Sequence, residues 1–198
     1  MSDPDALLHD FQSITESLLL EGLFLQQQTT ALEIGCADGG FLLEYAQRHP
    51  ARNFLGVERL LGRIRKLSKR GQRIGLTNLR LLRIEARYVL DYLLPEDAFS
   101  AVHIYFPDPW PKVKHARHRL IQPDFLPRIH RILTPGGVLY LRTDDSQYFR
   151  QMQDTFSDAE AFAGESTPTA LSEITTEFER KWLAEGKRTH YAAYRRKG

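Results

Sequence analysis

The chain has a single cysteine, Cys36, among 198 residues. No internal disulfide can form, so the fold rests on its core, and the composition fits a reducing compartment, the cytoplasm. No apolar run approaches the roughly 18–20 residues that span a bilayer. The first residues, Ser2 to Asp5, are acidic rather than leader-like. Neither charge sign dominates: 27 Lys and Arg against 25 Asp and Glu leave +2. Net charge therefore does not announce a polyanion partner, and the placement of the basic residues has to decide it. There is no internal repeat. One stretch, 159–169, is biased toward Ala, Glu, Ser and Thr and reads as a mobile connection. Only His115 and His118 sit close enough to suggest a metal, and no third ligand is spaced to complete a site. The length suits one domain with a full core.

What is present is an alternation. Leu7, Phe11, Ile14 and Leu18 recur at spacings of three and four and predict an amphipathic helix, giving a helical arm over 1–28. An α/β domain would then occupy 29–198. Buried strands are predicted at 30–35, 53–57, 79–84, 101–105 and 138–141. Helices fall between them, at about 41–47, 59–73, 86–93 and 123–133, with a turn at 134–137. A helical or turn-like piece at 175–182 and a closing strand at 189–194 finish the chain. Strands alternating with helices predict a doubly wound, mostly parallel sheet covered on both faces, as one α/β domain. In such sheets ligands lie beyond the carboxyl ends of the strands, where strand order reverses. Glu33 with Gly35, Glu58, Glu85, Asp108 and Asp144 stand at five successive strand ends. That many polar residues on one rim favour a site.

The most informative stretch is Phe106-Pro107-Asp108-Pro109-Trp110-Pro111-Lys112. Proline disfavours helical geometry in the residue before it, so Phe106 and Asp108 are expected to be extended. An acid aimed from a stiff strand end, followed by an indole and a cation, suits a planar hydrogen-bonding substrate such as a nucleobase.

The turn Gly35-Cys36-Ala37-Asp38-Gly39-Gly40 after the first strand departs from a dinucleotide G-x-G-x-x-G fingerprint. Glu33, two residues ahead of Gly35, is unfavourable beside a diphosphate and suits a cationic ligand, such as the amino group or sulfonium of S-adenosylmethionine. Glu58 ends the next strand, where a carboxylate accepts from both ribose hydroxyls. Glu85 and Ala86 come within reach of an adenine edge. Gly35 and Gly39 would shape the turn. Ala37 stands where glycine is easiest, so the turn either keeps negative φ there or carries strain.

These residues resemble the bacterial tRNA (guanine-N7)-methyltransferase family, from Leu32 to about Gly186. The resemblance rests on Glu33-Ile34-Gly35, Gly56-Val57-Glu58, Glu85-Ala86, the Phe106–Lys112 run with His115, Thr143-Asp144, and Thr176-Glu177-Phe178-Glu179. It implies a Rossmann-like fold and methyl transfer from S-adenosylmethionine to N7 of a guanosine in the tRNA variable loop. It also implies cofactor contacts at Glu33, Glu58, Glu85 and Asp108, catalysis at Asp108, and substrate contacts at Lys112, Asp144, Thr176, Glu177, Phe178 and Glu179. Ala37 replaces the family's usual second glycine, Arg117-His118-Arg119 stands for a K-R-R triplet, and the N-terminal arm is shorter than in many members.

Guanine N7 has an in-plane lone pair and no proton, so positioning matters more than a strong base. Asp108 accepting from guanine N1–H and N2–H would exclude adenine. Arg59, Arg63, Arg65, Lys66, Lys69, Arg70 and Arg73 form one basic helix. Lys112, Lys114, Arg117 and Arg119 form a second cluster, and Arg188, Arg195, Arg196 and Lys197 a third. Together they suit a phosphate backbone, with tRNA as partner and the protein a monomer or homodimer. The rivals are an adenine-N6 methyltransferase, since Asp108-Pro109-Trp110 is similar to D-P-P-[YFW], a non-catalytic RNA-binding module on this fold, and an NAD-dependent reductase.

Overall fold

The computed structural model describes residues 5–198, the side chains of residues 113 and 177 excepted. Seven strands form one sheet: β1 (Thr30–Ile34), β2 (Asn53–Val57), β3 (Leu79–Leu82), β4 (Phe99–Tyr105), β5 (Leu133–Thr143), β6 (Phe162–Glu165) and β7 (His190–Arg196). Their order is β3-β2-β1-β4-β5-β7-β6. The first five run parallel, β7 is antiparallel to β5, and β6 is antiparallel to β7. After β3 the chain crosses back over β1 to β4. The order therefore reverses between β1 and β4, which opens a crevice at their carboxyl ends.

Helices α1 (Leu42–Arg48), α2 (Leu61–Arg73), α3 (Ala86–Tyr88, running into a π turn at Val89–Leu93), α4 (Phe125–Ile132), α5 (Ser146–Ser157), α6 (Thr169–Ser172) and α7 (Glu177–Ala184) complete the chain. Both sheet faces are covered, which is why β1 and β2 are buried along their whole length. Leu32 and Ile34 point into the core with the π turn, α4 and α5. Ala31 points to the other face, where Phe41, Leu42, Ile64 and Leu67 pack. Side chains alternate along a strand, so Glu33 lies on that second face, beneath α1.

Four expectations change. The arm over 1–28 is not an α-helix in its described part: residues 5–19 form turns and a parallel bridge of Leu8 beside Leu81, and the only helical turn is 3₁₀, at Leu20–Gly22. The Leu81 N–H donates to Leu7 O at 2.9 Å, and the His9 N–H donates to Leu81 O at 2.9 Å. β3 is an edge strand whose free backbone groups need partners, and the arm supplies them. A Ser- and Thr-containing segment has little helix propensity to set against that. The turn at 134–137 is a bulge inside one long β5, where the register steps from Phe99↔Leu133 to Ala101↔Val138 around a left-handed Gly136. The biased stretch 159–169 holds an ordered strand, β6, closed by pairing with β7. The segment after β5, where the sequence predicts no element, forms α5, and its N-terminal cap is Asp145, accepting from the Tyr148 N–H at 2.7 Å.

Candidate functional site

The turn leaving β1 is built from three left-handed residues, Gly35 (φ 77°), Ala37 (φ 48°) and Gly39 (φ 81°). The N–H groups of Gly35 and Cys36 both donate to Val57 O, at 2.8 and 3.0 Å, which ties the turn to the end of β2. Ala37 takes the strained alternative, at a cost of about 1–2 kcal/mol. Gly39 is needed for packing as well as for φ, because a Cβ there would stand 2.0 Å from Leu67 Cδ1.

Two recesses open beside this turn. The larger, about 410 Å³, is lined by Gly35, Glu58, Glu85, Ala86, Asp108 and Trp110 among others. The smaller, about 220 Å³, is lined by Glu33, Gly35, Phe41, Asp108, Thr176 and Phe178 among others. Gly35, Arg63, Tyr105, Phe106 and Asp108 belong to both, so the two are halves of one crevice at the strand reversal.

Glu33 is 4% exposed, and its Oε2 has no hydrogen-bond partner among the described residues. Burial pushes its carboxyl up to about 8, with the Arg142 guanidinium pulling the other way. A buried acid with an orphaned oxygen at the edge of a recess is poised for a cation. Glu58 Oε1 accepts from the Leu60 N–H at 2.7 Å, which turns the carboxylate toward the larger recess. Glu85 accepts from the Tyr88 N–H at 2.9 Å and so caps α3, with its side chain at the surface. Acid, turn and acid at successive strand ends fit the amino, methionyl and ribose groups of S-adenosylmethionine.

Phe106, at the start of the Phe106–Lys112 run, departs from the extended geometry expected of it. The Phe106 N–H still donates to Arg142 O at 2.8 Å, but Phe106 is left-handed (φ 51°), and Trp110 is too (φ 43°). Two reversals within five residues fold the run over the recess and leave Asp108 at its lip. Strain of this kind concentrates at sites that the surroundings hold fixed. Arg119 supplies the hold: it is buried, its Nε donates to Pro109 O at 2.7 Å, and its guanidinium lies 4.9 Å from the Tyr148 ring centroid. Arg119 therefore leaves the exposed basic cluster in which its sequence position put it. Trp110 stands 5.1 Å from the His118 ring and 5.9 Å from that of His115. Among the described residues no group of three His, Cys, Asp or Glu side chains could hold a metal.

The remaining sequence-predicted residues divide. Thr176 and Phe178 reach the smaller recess, whereas Lys112 is exposed outside both. Asp144 faces Lys187 Nζ at 3.9 Å. The side chain of Glu177 lies outside the described residues. Glu179 is 1% exposed and fully engaged: its N–H donates to the Thr176 hydroxyl oxygen at 3.0 Å in a capping box, and its carboxylate accepts from Thr176 N–H, Arg142 and Tyr191. A carboxylate held this way supports α7 and offers nothing to a substrate. The sequence reading missed Arg142 and Phe41. A charged residue directly after the apolar run Val138–Leu141 was the available signal for Arg142.

A parallel sheet whose strand order reverses over an acid-lined crevice has the Rossmann-like architecture of the class I methyltransferases. Solved structures agree at the level of fold. The 16S rRNA methyltransferase KamB superimposes with a TM-score of 0.63 at 16% identity, covering 89% of this chain and 90% of that one. The antibiotic-resistance methyltransferase Kmr gives 0.60 at 20% identity, covering 90% and 92%.

Sequence comparison goes further. A family described as putative methyltransferase matches residues 27–192. The tRNA (guanine-N(7)-)-methyltransferase of Thermotoga maritima is 35% identical over 168 residues, which is 84% of this chain and 54% of that protein. The enzymes of that name from Halorhodospira halophila and Syntrophotalea carbinolica are 36% and 31% identical, over 89% and 93% of this chain. The chain belongs to this tRNA (guanine-N(7)-)-methyltransferase family, and its cofactor is S-adenosylmethionine. It spans about half of the Thermotoga protein, and 78% and 82% of the other two.

Proposed function

We propose that this chain transfers the methyl group of S-adenosylmethionine to N7 of a guanosine in tRNA, working in the cytoplasm. The observation that carries the reading is the shared lip. Asp108 belongs at once to the half of the crevice that holds Glu33 and to the half that holds Glu58 and Trp110.

When bound, S-adenosylmethionine supplies an electrophilic methyl group on sulfur. The chain's own residues do the rest. Glu33 holds the ammonium, and Glu58 accepts from ribose hydroxyls. Asp108 accepts from guanine N1–H and N2–H, which turns N7 inward, and its charge favours the purinium as it forms. Adenine lacks both donors and would leave the acceptor unmatched. No side chain has to remove a proton before attack, since N7 carries none. Trp110 offers a flat apolar face, 38% exposed, for the base to lie against.

The basic residues fall into separate groups on the surface. Arg63 and Lys66 of α2 and Lys181 of α7 line a hollow of about 430 Å³ beside Phe178. Farther along the same face, Arg48, Arg73 and Arg180 line another of about 590 Å³. Arg195 and Arg196 instead pair with Glu165 and Asp97, and they donate to Gly136 O and Leu133 O at the opposite end of β5. The phosphate backbone of the RNA therefore runs across the α1–α2–α7 face, away from the last cluster. Each chain carries both halves of the crevice, so a monomer suffices.

The test is incubation with unmodified tRNA and labelled S-adenosylmethionine, followed by nucleoside mass spectrometry. 7-Methylguanosine is the expected product. N6-Methyladenosine, or no methylated nucleoside, overturns the reading.

A further inference from the structure

We infer that Arg142 is a positioning residue for the cofactor: it docks the 169–184 segment on the sheet so that Thr176 and Phe178 wall the recess over Glu33. The inference rests on that recess being the S-adenosylmethionine site. It does not depend on which nucleobase is methylated.

Arg142 lies near the carboxyl end of β5, paired with Tyr105 on one side and Tyr191 on the other, and it is 1% exposed. Its guanidinium stacks 4.1 Å from the centroid of Tyr105, a residue that lines both halves of the crevice. From there it reaches three points of one segment. Nη1 donates to Ile174 O at 2.8 Å and to Glu179 Oε2 at 3.1 Å, and Nη2 donates to Leu171 O. Glu179 Oε2 also accepts from the Thr176 N–H at 3.3 Å, and Glu179 Oε1 accepts from the Tyr191 hydroxyl at 2.5 Å. Every link of this network ends within five residues of Thr176 or Phe178.

A core pair needed only for stability is commonly replaceable by apolar residues of similar volume. This one is different in shape. A planar fork spans two carbonyls and a carboxylate, and a lysine cannot reproduce that geometry. It is also placed to act on the recess electrically. The titratable and charged groups around Glu33 are Arg142 from β5, Tyr105 and the register partner His103 from β4, Asp108 just beyond β4, Cys36 and Asp38 from the turn, and Arg63 from α2. His103 is held neutral by burial, down to about 3, and burial keeps the phenol and the thiol protonated. Arg142 is thus the cation that lowers the carboxyl of Glu33.

The test reads cofactor binding without RNA. S-adenosylmethionine is titrated calorimetrically into wild type, R142K, the charge-neutral double variant R142Q/E179Q, and Y191F, between pH 6 and pH 9. Backbone hydrogen exchange is followed over 171–184. R142K is expected to raise Kd about tenfold or more and to speed exchange in that segment, in the range usual for lost supporting contacts. The double variant is expected to move the pH midpoint of binding upward. Variants that only melt earlier, with Kd within about twofold of wild type and an unmoved midpoint, overturn the inference. Where neither Arg142 variant folds, Y191F decides: Kd rises if the network positions the recess and stays at the wild-type value if it does not. A wild-type chain that binds S-adenosylmethionine without methylating RNA overturns only the functional reading. One that binds none overturns both.

Discussion

Glu33 offers the sharpest prediction, because its protonation state and its task oppose each other. Its carboxyl is pushed from an ordinary 4.5 up to about 8 by burial. Between those values the folded chain keeps a proton that the unfolded chain releases. The stability associated with that proton is therefore complete below pH 4.5 and is lost as pH rises toward 8. At about 1.4 kcal/mol per tenfold change, the full loss is on the order of 5 kcal/mol. E33Q removes this dependence, so the ligand-free variant should be the more stable chain at pH 8 and should show a flatter stability profile from pH 5 to pH 8. Binding a cationic amino group requires the opposite state, the carboxylate. At pH 7 Glu33 is about nine-tenths protonated, so binding releases about 0.9 proton from it; the ligand's amino group, with a free pKa of about 7.7–8.0, takes up about 0.1. Calorimetry in buffers of different ionisation enthalpy should record a net release of about 0.8 proton at pH 7. Wild-type affinity should climb nearly tenfold from pH 6 to pH 7 and peak near pH 8, while E33Q binds weakly with no acid limb. Zero net proton release at pH 7, or wild-type affinity level from pH 6 to pH 8, would refute the assignment of Glu33 to the amino group.

Three further outcomes are expected. D108N should retain cofactor affinity and lose about 100-fold or more in single-turnover rate, and a fully active variant would remove Asp108 from the chemistry. R73E/R180E should weaken tRNA binding for every sequence and flatten the salt slope of log Kd by about 2, while R195E, at a residue already paired with Glu165, leaves both unchanged; equal losses in the two would put the RNA elsewhere. A37G should raise the urea midpoint by the equivalent of about 0.5–1 kcal/mol, because glycine takes φ 48° without strain. A lowered midpoint would show that the alanine is not strained.

The sequence by itself determined the alternation of the first five strands with helices, since the apolar runs are separated by turn residues whose preferences are local. It also placed Glu33, Gly35, Glu58 and Asp108 at strand ends, and in a parallel sheet successive ends fall on one rim whatever the strand order. What it could not decide depended on partners far along the chain. The arm before β1 has a helical spacing of leucines, yet the open edge of β3 gives it better hydrogen bonds than a helix would. Glu179 and Arg119 have the composition of surface contacts, and only packing against Arg142 and Pro109 turns them inward. Phe106 should be extended by local rule, but the hold of Arg119 on the following residues accompanies a left-handed turn there. Local preferences amount to about 1–2 kcal/mol per residue, and buried carbonyls and charges left unpartnered cost as much or more. Where the two conflict, the distant partner decides, and that partner exists only once the sheet has closed.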